Sequence, residues 1–148
     1  MDEFTPLLSR WILAATLVSA LLVAAIMPSL LPFVFGIRFQ ASVAPLLYLL
    51  PGIIAGSASR ILAADVAARG RPELNIVATV VVAILNILLN IFLIPSLGLS
   101  GAAIATTISY AAILALRLWM QFRLTGVSPD SSIFLQPSDL LRLKHLLG

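Results

Sequence analysis

The chain has 148 residues, of which 61% are hydrophobic and only 10% are charged, and its mean hydropathy is +1.11. A soluble domain carries about 25% charged residues, so this sequence has too few polar side chains to coat a water-soluble globule. It contains no cysteine and a single histidine, His145, which excludes disulfide scaffolds, thiolate metal sites and histidine-based catalytic triads. We therefore expect an integral membrane protein that is not an enzyme and binds neither a metal nor a cofactor.

Three windows without any charged residue, 11–37, 39–59 and 74–116, mark the membrane spans. A helix needs about 20 apolar residues to cross a bilayer core about 30 Å thick, and the third window is long enough for two crossings. Pro95 and Gly98 divide this window, because proline ends a helix and glycine permits a tight reversal. The sequence predicts an all-α membrane domain over residues 1–122 with four helices, near 11–33, 43–65, 74–94 and 101–122.

The first apolar stretch is longer than that of a signal peptide. Asp2 and Glu3 precede it, whereas a signal peptide begins with a basic cluster. We therefore expect this stretch to be retained as the first membrane helix.

The basic residues are divided unevenly between the two sides of the membrane. Only Arg38 lies on one side, and the other eight lie on the side of the two termini and the loop 66–73: Arg10, Arg60, Arg69, Arg71, Arg117, Arg123, Arg142 and Lys144. Cytoplasmic segments carry an excess of Lys and Arg, so we expect both termini in the cytoplasm. Trp11 and Trp119 lie where interfacial aromatics are expected. The basic pI thus reflects membrane topology, and no nucleic-acid partner is expected.

The second predicted helix has a face of small residues. Gly52, Gly56, Ser59 and Ala63 share this face, and the two glycines form a GxxxG motif that allows close helix approach. Pro51 precedes them at mid-span and favours a kink. Two interpretations are open, tight packing or a hinge for rocking motions of the bundle.

Arg60 is the one charged residue that the sequence places inside the apolar zone. At 1.5 Å per residue it lies about 6–8 Å below the end of the second helix. It either extends to the cytoplasmic head groups or faces the bundle, where a guanidinium is well shaped to bind a phosphate. Asp65 and Arg69 have the i,i+4 spacing of an ion pair. The apolar parts of the spans hold no Asp or Glu, so they cannot form a proton or sodium relay.

The third predicted helix carries four polar residues on one side. These residues, which we call the polar stripe, are Asn75, Thr79, Asn86 and Asn90, and they fall within about 60° of one another at 100° per residue. Amides in hydrocarbon are unfavourable unless they meet partners or water. Two interpretations are open: hydrogen bonds between helices, or the wall of a hydrated cavity that accepts a polar substrate.

The fourth predicted helix begins at Gly101 and has small residues on nearly every side, which suits packing on several neighbours. Residues 123–148 contain Gly126 and Pro129 and end in a basic amphipathic stretch, 140–144. We expect this segment to be a cytoplasmic tail. It is either an interfacial helix or the lead-in to further membrane helices.

Three runs of residues follow one another in a recognisable order: AARGRP at 67–72, NILLNIFLIP at 86–95 and GLSGAAIATTISY at 98–110. They resemble the C-terminal region of polysaccharide-biosynthesis, or O-antigen type, flippases of the multidrug/oligosaccharidyl-lipid/polysaccharide flippase superfamily. The resemblance extends from about residue 34 to about 122. Members of that family have 12 or 14 helices in two lobes, so the resemblance implies that these four helices form part of a C-terminal lobe.

The resemblance implies the export of lipid-diphosphate-linked oligosaccharide by alternating access. The polar stripe would then line the sugar-facing cavity, and Arg60 or Arg38 would meet the diphosphate. The implied partners are the lipid bilayer, the lipid-linked oligosaccharide, and an N-terminal lobe or another chain that completes the bundle. The implied location is a bacterial-type inner membrane, which the chain crosses several times. Two alternatives stay open: part of a cation-coupled multidrug antiporter of the same fold, or a small four-helix membrane subunit that does not transport.

Overall fold

The computed structural model describes the backbone of residues 4–125 and the side chains of residues 11–123. Four α-helices and one 3-10 helix make up this part of the chain: α1 (Phe4–Phe35), the 3-10 helix (Ile37–Ser42), α2 (Val43–Ala68), α3 (Pro72–Leu97) and α4 (Leu99–Thr125). The described residues contain no strand. Four segments are long and apolar enough to cross a membrane, so the predicted all-α membrane fold is confirmed. The first three residues of the predicted tail, 123–125, continue α4. The rest of the tail, 126–148, lies outside the described residues.

A single residue joins α3 to α4. Helix α3 continues through Pro95 and ends at Leu97. The joining residue, Gly98, has a φ of 56°, in the left-handed region that glycine tolerates. The Gly98 N–H donates to the Ile94 carbonyl at 2.8 Å, and the Gly98 carbonyl accepts from the Gly101 N–H at 3.0 Å. Pro95 does not end the helix as expected, because it removes only one backbone hydrogen bond in the last exposed turn.

The helices are arranged in a different order in space than in sequence. Helix α4 packs against both α2 and α3, whereas α2 and α3, although consecutive, touch each other much less. Helix α1 packs mainly against α2, so the spatial order is α1, α2, α4, α3. Because the connections are short, consecutive helices run antiparallel. The α2–α3 connection, 69–71, and the α3–α4 turn therefore lie at opposite ends of the bundle.

The outer faces of α1 and α3 are apolar, and no other described segment of the chain covers them. Leu21 on α1 is 62% exposed, and Phe92 on α3 is 74% exposed. Both helices belong to segments with the composition of membrane spans, and side chains of this kind suit contact with lipid. The interior of the bundle therefore lies around α4 and the faces of α2 and α3 that contact it.

Candidate functional site

The face of small residues on α2 is the surface on which α4 packs. A Cβ atom added to Gly52 would lie 2.7 Å from Thr107 Oγ1 and 2.8 Å from Thr107 Cα, and one added to Gly56 would lie 3.2 Å from the Tyr110 ring. The Thr107 hydroxyl donates to the Tyr48 carbonyl at 2.6 Å. The two helices are in contact at this point because the glycines carry no side chain.

Pro51 lies next to this contact but does not interrupt α2. The helix is continuous from Val43 to Ala68, and the proline ring is on the exposed side. Proline leaves only the Leu47 carbonyl without its helical donor. A hinge role for Pro51 and the neighbouring glycines stays a prediction.

Arg117 of α4 is a buried cation whose side chain lies where α2, α3 and α4 meet. The residue is only 8% exposed. Its Nη1 donates to Ser59 Oγ at 2.6 Å and to the Ser59 carbonyl at 3.1 Å, and its Nη2 donates to Thr79 Oγ1 at 3.4 Å. We call Arg117, Ser59 and Thr79 the Arg117 cluster. It joins three helices through one guanidinium group.

A second polar contact lies one helical turn from the Arg117 cluster. Asn75 Nδ2 donates to the Ala63 carbonyl at 2.8 Å. Asn75 lies one turn before Thr79 on α3, and Ala63 lies one turn after Ser59 on α2. Because α2 and α3 are antiparallel, both residues are closer than the Arg117 cluster to the α2–α3 connection. Two buried atoms here, Asn75 Oδ1 and Arg117 Nε, have no hydrogen-bond partner within the described part of the chain.

The polar stripe of α3 is turned towards the neighbouring helices along most of its length. Asn86 Nδ2 donates to Ser109 Oγ on α4 at 3.0 Å, and Ser109 Oγ donates to the Ala105 carbonyl at 2.7 Å. Asn90 Nδ2 donates to both the carbonyl and Oδ1 of Asn86 at 2.9 Å. With the contacts of Asn75 and Thr79, three of the four stripe residues hydrogen-bond to another helix. A role of the stripe as a cavity wall stays a prediction.

The two arginines selected from the sequence lie on the surface. Arg60 is exposed although it follows the buried Ser59, and Arg38 is exposed in the 3-10 helix before α2. Most of α2 separates the two residues, so the structure does not bring them together. The expectation that Arg60 is the one charge inside the apolar zone is wrong, because Arg117 also lies within a span and is buried there.

A feature of the sequence could have identified Arg117. It follows Tyr110 by seven residues and precedes Gln121 by four, which is the spacing of a single helix face. Tyr110 packs on Gly56, and Gln121 is only 9% exposed. The positive-inside rule uses Arg117 only as a marker of topology and therefore does not reveal this buried face of α4.

The two carboxylates of residues 11–123 form ion pairs with arginines at the α2–α3 connection. Asp65 Oδ2 lies 2.8 Å from Arg69 Nε, and Glu73 Oε1 lies 3.1 Å from Arg71 Nε. The hydrogen bond and the charge of Asp65 raise the pKa of Arg69 above its ordinary value. Residues 11–123 hold no other Asp or Glu and no cluster of side chains that could bind a metal. The positive charge of the Arg117 cluster therefore has no carboxylate beside it within residues 11–123.

Comparison with known proteins gives one relative. No family model matches the chain, and no solved structure matches it. The chain is 38% identical over 78 residues to a protein of Haloferax volcanii named probable low-salt glycan biosynthesis flippase Agl15. The match covers 53% of the chain but only 16% of the relative's length. Over about half of its length, this chain is thus similar to a glycan biosynthesis flippase.

Proposed function

We propose that the chain is a segment of a membrane flippase, a transporter and not an enzyme, that moves lipid-diphosphate-linked oligosaccharide across the cytoplasmic membrane by alternating access. The observation that carries the proposal is the 38% identity over 78 residues to a glycan biosynthesis flippase. The proposal includes an O-antigen type relationship, an inner-membrane location with both termini in the cytoplasm, and further helices of a second lobe that complete the transport path.

Polar groups between α2, α3 and α4 support a transport role. Polar and charged side chains inside a membrane are unfavourable and typically mark a substrate or ion path. In this chain they occur at successive levels of the bundle, from Asn75 near one end of α3 to Asn90 near the other. A flippase has to offer polar contacts at successive depths, because its sugar cargo loses water as it crosses the membrane.

The polar stripe and two surface arginines are the proposed substrate contacts. Asn86 and Asn90 would exchange their present hydrogen bonds for bonds to sugar hydroxyls, since an amide can both donate and accept. Arg60 or Arg38 would meet the diphosphate. Both are exposed, and a guanidinium binds phosphate oxygens in a bidentate manner.

A chimera with the relative tests the proposed function. In Haloferax volcanii cells that lack the glycan flippase, this chain would replace the corresponding segment of that protein, and the glycan on the cell surface would be measured. We expect the chimera to restore surface glycan. A control with an unrelated four-helix segment in the same place should not. If the chimera reaches the membrane in normal amounts and surface glycan stays absent, the proposal fails.

Paired substitutions in the same chimera test the sugar contacts. Asn86→Leu with Asn90→Leu should lower glycan export by about tenfold, because hydrogen bonds to the sugar are lost. The matched control is Ile87→Leu with Ile91→Leu, which alters the exposed neighbours on α3 and should leave export unchanged. Equal export by the asparagine variant and the unsubstituted chimera would show that the stripe serves packing alone.

A further inference from the structure

The Arg117 cluster carries a positive charge with neutral partners. Within residues 11–123, the hydrogen-bond partners of the guanidinium are hydroxyl and carbonyl oxygens of Ser59 and Thr79. The two carboxylates of residues 11–123 are paired with other arginines at the α2–α3 connection. A buried guanidinium without a counter-charge loses much of its solvation free energy. An anion from outside the described residues would therefore stabilise the charge of Arg117.

The cluster borders the exposed side of α3. Thr79 is exposed, although its Oγ1 lies 3.4 Å from Arg117 Nη2. Helices α2 and α3 make few contacts with each other, and the guanidinium of Arg117 on α4 hydrogen-bonds to both of them. Arg117 precedes Arg123 by six residues, or about 9 Å along the helix. A lipid phosphate drawn in from the membrane surface can reach this depth.

The hydrogen-bond donors of the cluster fit a phosphate group. Arg117 Nε is a buried donor without a partner within residues 11–123, and the hydroxyls of Ser59 and Thr79 keep their own protons to donate while they accept from Arg117. Phosphate oxygens accept several such bonds, and the planar guanidinium matches their spacing. Asn75 Oδ1, one turn away, is an acceptor, so it suits a water or hydroxyl beside the phosphate.

We propose that Arg117, Ser59 and Thr79 form a binding site for a phosphate group carried by a membrane lipid. The choice of a lipid-borne phosphate rests on the proposed function, because the cargo of such a flippase is a lipid diphosphate. The site differs from the two surface arginines considered above in being inside the bundle. It would hold the phosphate between α2, α3 and α4 at the end of the bundle that carries the α2–α3 connection.

Binding of farnesyl diphosphate to the purified full chain in detergent tests this site, with farnesol as the uncharged control. Arg117→Gln should weaken the binding of farnesyl diphosphate about tenfold, because a charge-assisted hydrogen bond is lost. Thr79→Val should weaken it about threefold. The matched control is Arg123→Gln on the same helix, an exposed arginine stacked 5.3 Å from the Trp119 ring, and it should change binding less than twofold.

Three outcomes would overturn the proposal: no loss of binding in Arg117→Gln, an equal loss in Arg117→Gln and Arg123→Gln, or equally tight binding of farnesol. If Arg117→Gln fails to fold, Thr79→Val decides. Its thermal unfolding should match that of the unsubstituted chain, and its unchanged affinity for farnesyl diphosphate would then reject the site.

Two further probes identify the source of the phosphate. Binding of phosphatidylglycerol that depends on Arg117 would assign the site to lipid head groups in general, and binding limited to farnesyl diphosphate would assign it to the cargo. Arg117-dependent binding of inorganic phosphate but of neither lipid would overturn the lipid assignment. Loss of binding in Arg117→Gln, with a chimera that fails to export glycan, would support the site and reject the proposed function. The reverse result would reject the site alone.

Discussion

The α2–α4 interface and the outer face of α3 show opposite relations between side-chain character and burial. At the interface, Gly52, Gly56 and Ser59 are buried, and the charged Arg117 is buried against Ser59. On the outer face of α3, large apolar side chains such as Ile87 and Phe92 are exposed. Lipid solvates an apolar side chain as well as protein does, so apolarity does not locate the interior of a membrane bundle. Small size and polarity locate it.

If small residues define the interior, the largest effect should come from Gly52. Gly52→Ala brings a Cβ atom to within 2.8 Å of the Thr107 backbone, and overpacking of this kind costs about 2 kcal/mol. We expect the free energy of unfolding in detergent to fall by that amount. Ala83→Leu, on the exposed side of α3, should change it by less than about 0.5 kcal/mol. Equal effects of the two substitutions would contradict the close contact.

The second prediction concerns the buried charge in this interface. Arg117→Met keeps much of the side-chain volume and removes a guanidinium whose hydrogen-bond partners in the described part of the chain are neutral. Replacement of buried charges by apolar residues is often stabilising, so we expect the free energy of unfolding to rise by about 1 kcal/mol in detergent free of lipid phosphate. Arg123→Met, on the exposed side, should change it by less than about 0.5 kcal/mol. A clear loss of stability in Arg117→Met would show that Arg117 mainly holds the helices together.

A smaller effect on stability is expected from the side-chain hydrogen bond between Asn86 on α3 and Ser109 on α4. A double-mutant cycle with Asn86→Ala and Ser109→Ala, which removes the 3.0 Å hydrogen bond, should give a coupling energy of about 0.6 kcal/mol in the unfolding equilibrium. The control cycle combines Asn86→Ala with Ser96→Ala, whose hydroxyl bonds within its own helix. Coupling as large in the control cycle as in the test cycle would refute the interhelical bond.

The smallest effect is expected at the α2–α3 connection, outside both compared regions. Asp65→Asn removes a surface ion pair with Arg69, whose side chain is 48% exposed. Exposed ion pairs contribute about 0.5 kcal/mol or less and weaken with salt. We expect a change of this size in thermal unfolding at low ionic strength and none at high ionic strength. A large change independent of salt would indicate a structural role for this pair.

The sequence predicted the helices and the side of α3 that meets its neighbours. Charge-free windows locate the spans because a bilayer excludes charge over a fixed thickness. Rotation by 100° per residue aligned Asn75 with Asn86, and both bond to other helices. The spatial order could not be predicted in this way, since apolar periodicity gives no preference between lipid and a neighbouring helix. Only the structure places α4 between α2 and α3.

Arg117 could not be located by its charge alone. The positive-inside rule treats every arginine near a helix end as a marker of topology, and it gives Arg60 and Arg117 the same weight. Their difference comes from rotation about the helix axis, which exposes Arg60 and buries Arg117. Pro95 is a similar case, because a proline in the last exposed turn leaves the helix intact. Such details depend on which neighbour each turn meets.

The one-residue turn at Gly98 has a consequence for motion. A side chain on Gly101 would overlap the Leu93 carbonyl. Together with the backbone hydrogen bonds around Gly98, this close contact fixes the end of α3 against the start of α4. The α3–α4 hairpin should thus swing as a rigid body during any conformational cycle. Bending would then fall to other parts of the chain: the predicted hinge at Pro51, or Gly36 and Gly70, whose φ angles of 89° and 76° mark the other two connections.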